Sequence, residues 1–87
     1  MQGVRRKPEM TKWESYLRVK VVGDEILVTL PQSNYAGRYY KPKISPQLLA
    51  KRIRDKDDPH LPMTGAEFLT QAWKLANDKA RALGWIV

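Results

Sequence analysis

The stretch that decides the fold is WESYLRVKVVGDEILVTLP, Trp13 to Pro31. Two runs rich in β-branched and aromatic residues flank the pair Gly23-Asp24. A two-residue connection with glycine first suits a type II′ hairpin turn, whose twist matches that of its strands. That turn sets Val22 opposite Glu25, Val21 opposite Ile26, Val19 opposite Val28 and Leu17 opposite Leu30. The last three pairs fall on one face, together with Trp13. Side chains alternate along a strand, so a slip of one residue would move the whole apolar set to the wrong side. The other face then carries Tyr16, Arg18, Lys20, Leu27 and Thr29, a basic and partly aromatic surface.

On the C-terminal side, Gln32 to Gly37 (QSNYAG) is dense in turn formers. Arg38 to Ile44 (RYYKPKI) reads as a third strand. Tyr39, Lys41 and Lys43 share one of its faces, and Arg38, Tyr40, Pro42 and Ile44 the other. Proline cannot donate to a β-ladder, so Pro42 marks an edge strand or its end. Ser45-Pro46 signals a helix start, the serine capping free amides and the proline sitting at the first helical position. A short helix to about Lys56 is expected, with Leu49 and Ile53 one turn apart. Its Lys51, Arg52, Arg54 and Lys56 interleave with Asp55 and Asp57 and read as a solvated face.

Asp57-Asp58-Pro59 would end that helix, and beyond the connecting loop His60–Met63, Thr64 and Glu67 have the spacing of a capping box. Phe68, Leu69, Ala72, Trp73, Leu75, Ala76, Ala80 and Leu83 form a helical stripe, stopped at Gly84. Trp85, Ile86 and Val87 are expected to fold back on the core or to add a short strand. The fold class is therefore α+β. It comprises a small antiparallel sheet of three strands, or four, packed on a C-terminal helix, with a shorter additional helix. Residues 13–87 make one domain, and residues 1–12 a basic arm or a short extra strand.

Eighty-seven residues, 43% of them hydrophobic, suffice for one small core and leave little for a second. Cysteine is absent, which excludes disulfides and cysteine-bound zinc and fits a reducing, cytoplasmic setting. No apolar run approaches the ~18 residues of a membrane span, and no hydrophobic stretch of a secretory signal follows the first basic residues. The formal charge of +7 points to an acidic partner. Residues 1–20 carry Arg5, Arg6, Lys7, Lys12, Arg18 and Lys20 against Glu9 and Glu14, more than half of the excess.

Catalysis finds little support. The single histidine, His60, lies in DKDDPH (Asp55 to His60), where Pro59 fixes the chain between would-be ligands and no second histidine exists. Ser33 and Ser45 have no base in prospect, and the dispersed glycines form no phosphate-cradling loop. Neither an enzyme nor a cofactor is expected. Nucleic-acid binding fits better, because a β-ribbon can enter the major groove of DNA with arginine and lysine facing guanine edges or phosphates. The candidate contacts are Arg5, Arg6, Lys7 and Lys12 on the arm, Tyr16, Arg18 and Lys20 on the first strand, and Tyr39, Lys41 and Lys43 on the third. Exposed aromatics would alternatively stack single-stranded bases. The plainer alternative is that the tyrosines cover the sheet edge and the charges are simply solvated.

Gly3-Val4-Arg5-Arg6-Lys7-Pro8, followed by Lys12-Trp13, resembles the start of the plant ethylene-response-factor type of DNA-binding domain, whose relatives occur in phage integrases and homing endonucleases. The Thr64, Glu67, Ala72-Trp73 and Ala76 pattern is similar in kind to that family's alanine-rich helix. The resemblance implies a three-stranded sheet that enters the major groove, and DNA-contacting roles for Arg5, Arg6, Lys7 and Trp13. The chain departs from the family between Gln32 and Met63, which intervene where the family's helix follows its third strand closely. The expected partner is nucleic acid, DNA over RNA, with an acidic protein as the alternative and no membrane. The oligomeric state stays open.

Overall fold

The computed structural model describes residues 16–87, which form a four-stranded antiparallel sheet and one long helix. The strands are β1 (Arg18–Val22), β2 (Glu25–Thr29), β3 (Ala36–Tyr40) and β4 (Leu49–Arg54), and the helix α1 is Gly65–Ala82. Each strand pairs with its sequence neighbour, in the order β1-β2-β3-β4. The arm and Trp13 lie outside the described residues.

The hairpin has the expected register, with Val22 opposite Glu25, Val21 opposite Ile26 and Val19 opposite Val28. Gly23 takes a φ of 62°, and Asp24 has no positive φ. Positive φ at the first turn residue alone is the type II′ pattern, and glycine adopts it without steric penalty.

Helix α1 covers the face formed by Val19, Ile26, Val28, Tyr39 and Ile53. Its buried residues Phe68, Ala72, Ala76 and Ala80 recur every four positions, so one narrow stripe of mostly small side chains lies on the sheet. Leu17, Leu30, Tyr35, Leu48 and Met63 complete the core, and the Tyr35 hydroxyl donates to the Met63 carbonyl at 3.1 Å. The capping box is present, as expected. Thr64 Oγ1 accepts from the Glu67 amide (3.1 Å), and Glu67 Oε1 from the Thr64 amide (2.8 Å). At the other end the Gly84 amide reaches the Arg81 carbonyl and the Trp85 amide the Ala80 carbonyl, a Schellman stop. Trp85 and Ile86 then fold back against the core.

The remaining segment departs from expectation. Residues 49–54 are the fourth strand, and the expected short helix is absent. The Ser45 hydroxyl accepts from the Gln47 amide, two residues on, which closes a tight turn instead of starting a helix. The third strand ends at Tyr40, so Lys41 lies just past it and Lys43 in the following turn. Trp73, expected in the core, is 45% exposed and packs its ring 5.7 Å from that of Tyr39.

The end of β4 is anchored to the helix start. Asp57 Oδ1 accepts from the Gly65 amide at 2.6 Å, adding a carboxylate where the helix dipole favours one. A Cβ at Gly65 would collide with the Asp55 carbonyl, so only glycine lets the two backbones approach this closely.

Candidate nucleic-acid interface

Pairing across the sheet arranges the uncovered face into three rows. Arg18, Thr29, Ala36 and Arg54 form the first, and Lys20, Leu27, Arg38 and Arg52 the second. The third runs Val22, Glu25, Tyr40 and Leu49. Lys51 is the extra residue of a bulge between the Arg38–Arg52 and Tyr39–Ala50 pairs, and it reaches this same face. Six cations thus share one surface: Arg18, Lys20, Arg38, Lys51, Arg52 and Arg54. Glu25 is the single carboxylate among the residues of the three rows and the bulge.

The cations fall into two groups. Arg18 and Lys20 on β1, with Arg52 and Arg54 on β4, occupy the outer strands and pair with no carboxylate among the described residues. At a strand spacing near 4.8 Å, β1 and β4 stand roughly 14 Å apart. Arg38 and Lys51 instead grip Glu25. Arg38 Nη1 lies 2.7 Å from Glu25 Oε1, and the Lys51 ammonium bonds the other oxygen. The Glu25 side chain is only 15% exposed, against 36% for Arg38 and 55% for Lys51, so the carboxylate sits beneath its cations. Hydrogen bonds from Lys51 first and Arg38 second hold the Glu25 carboxyl below the usual carboxylate range. Glu25, Leu27, Ala36, Arg38, Lys51, Arg52 and Arg54 line a shallow depression of about 370 Å³.

The sequence-derived site is redistributed. Arg18 and Lys20 are on the uncovered face, exposed, as expected. Tyr39 is not: it pairs with Ile26, is 2% exposed, and burial raises its phenol pKa. The alternation in this segment was legible, but Arg38 and Tyr40 hold the uncovered side. Tyr16 precedes β1 and lines a separate groove with Leu30, Pro31, His60 and Pro62. Lys41 donates to the Pro42 carbonyl beyond the strand, and Lys43 is exposed in the turn, so neither joins the rows. Arg5, Arg6, Lys7 and Lys12 lie outside the described residues.

Arg38, Lys51, Arg52 and Arg54 were absent from the sequence-derived site, the last three having been read as the solvated face of a helix. The signal for the last two was the alternation Arg52-Ile53-Arg54, a period of two inside a segment read with a helical period. Along the chain their charge is cancelled by Asp55, Asp57 and Asp58. In space it is not. Asp57 turns to the helix start, and Asp58 accepts from the His60 amide at 2.9 Å.

Comparison with family models, with curated proteins and with solved structures finds no match.

Proposed function

We propose that this chain is a small, non-enzymatic nucleic-acid-binding module that takes duplex DNA on the uncovered sheet face. The arm residues Arg5, Arg6, Lys7 and Lys12 would add contacts to the adjacent backbone. The observation that carries the reading is the six cations of one face around a single, already neutralised carboxylate. Such a surface attracts a polyanion by releasing its condensed counterions.

Duplex DNA is favoured over a single strand by what the face lacks among the described residues. Base stacking needs exposed aromatics, and of the sheet tyrosines only Tyr40 is on this side, partly covered. DNA is favoured over duplex RNA because the A-form major groove is too deep and narrow to admit a protein surface. A cytoplasmic setting belongs to the same proposal, and the absence of cysteine is compatible with it.

The test is a titration of fluorescent duplex DNA at several salt concentrations. If the four outer-strand cations each engage a phosphate, log K falls against log salt with a slope of about −3.6 from the sheet alone. Absence of binding at low salt, or binding indifferent to salt, refutes the proposal.

A further inference from the structure

An acidic residue among the cations of a phosphate-binding surface is an electrostatic disadvantage. Glu25 neutralises charge that would otherwise attract the polyanion, so affinity alone does not account for it. Its geometry offers a different role. Arg38 is on β3, an inner strand, and Nη1 is its single described hydrogen-bonding contact, to Glu25 Oε1. That bond, to a carboxylate itself held by Lys51, restrains the guanidinium, and its other donors have no partner among the described residues. A planar fork restrained on one side, with donors to spare, suits recognition of guanine O6 and N7. Among the described residues the outer-strand cations have no such buttress, which suits backbone phosphates, where position matters more than orientation. The separation also fits: β1 and β4, roughly 14 Å apart, would straddle a major groove about 12 Å wide and set the inner strands over the base edges.

We infer that Arg38 is the specificity-determining residue of this surface, reading guanine in the major groove. Glu25 is its positioning residue, and Arg18, Lys20, Arg52 and Arg54 hold the two backbones. This inference rests on the duplex-DNA reading above and deepens it.

The experiment is selection from a pool of short randomised duplexes by the full chain, followed by direct titration of the enriched duplexes and of the unselected pool. The wild type should enrich sequences with a fixed guanine. Arg38→Lys keeps the charge and loses the fork. It should bind the unselected pool within about threefold of wild type, since one phosphate contact is the most that changes. Its preference for that guanine should fall by about tenfold or more. Glu25→Gln should bind the unselected pool more tightly than wild type and also lose preference, because a negative charge and the buttress disappear together. A merely structural Glu25 predicts tighter binding with preference intact.

Thermal melts of both variants confirm that each is folded under the titration conditions. Should either fail to fold, Glu25→Asp, which retains the charge but shortens the reach to Arg38, replaces it with the same expected loss of preference. Enrichment of the same guanine by Arg38→Lys overturns the inference, as does salt-sensitive wild-type binding that enriches no sequence. In both cases the duplex-binding proposal survives. Failure of the wild type to bind the pool at low salt overturns both.

Discussion

At the residue scale, Glu25 couples the surface to pH. Its carboxyl titrates below the ordinary value of 4.5 in the folded chain. A carboxyl whose folded pKa is depressed contributes stability that is present above the unfolded pKa and is lost as pH falls through the folded one. The Glu25 contribution should therefore be intact at neutral pH and disappear on acidification below about 4.3, the ordinary glutamate range. Melting temperature recorded from pH 7 downward should fall more steeply in wild type than in Glu25→Gln, which has no charge to lose there. Asp58, lowered chiefly by the His60 amide, keeps a residual acid dependence in the variant. Parallel curves for the two proteins would show that the Arg38–Glu25–Lys51 arrangement adds nothing to stability.

At the element scale, the decisive segment is β4. Leu, Ala, Lys and Arg are good helix formers, so the local preference of LAKRIR runs against the strand it adopts. Pairing with β3 and partial burial of Ile53 outweigh that preference, as tertiary context does for strands generally. The bulge at Lys51 compounds the difficulty, because it breaks the two-residue alternation that would have disclosed a strand. The hairpin was legible because turn chemistry and apolar pattern agreed, and the capping box because both of its partners are local. The face of Tyr39 was not legible. It depends on the β2–β3 register, which the QSNYAG connection does not specify. The junction of β4 with α1 makes its own prediction. Gly65→Ala should gain up to about 1 kcal/mol in helix propensity. Yet the methyl must displace the Asp55 backbone, and overpacking of that kind costs about 1–3 kcal/mol. A net fall in melting temperature is expected, by about 4–8 °C per kcal/mol lost in a domain of this size. A rise would mean that β4 and α1 are not held by this contact.

At the scale of the whole molecule, charges that cancel along the chain are sorted between surfaces. Of the carboxylates that follow β4, Asp57 serves the helix start and Asp58 the His60 turn, while its arginines join those of β1 and β3. If the sheet face binds DNA, Arg52→Gln with Arg54→Gln should reduce the salt slope by about 1.8. The same change in charge on the helix, Lys79→Gln with Arg81→Gln, should leave the slope nearly unchanged. Equal effects from both pairs would mean that net charge, and not this surface, governs binding. The two arginines of β4 also explain why a charge count along the sequence put the excess on the arm and first strand: it had no means of seeing the fourth strand line up with them.

The order of the strands bears on how quickly the chain folds. Each of β2, β3 and β4 pairs with the strand before it, so the sheet is built from successive short closures, each needing little loss of chain entropy. Helix α1 packs chiefly on β2, whose last residue precedes it by more than thirty positions, and that return is the one long closure in the described fold. Proteins dominated by near-neighbour contacts fold fast. The meander should accordingly zip from its Gly23-Asp24 turn, with docking of Phe68 and the alanine stripe as the late, rate-limiting event. A binding surface carried by the sheet would then take shape before the core behind it is sealed.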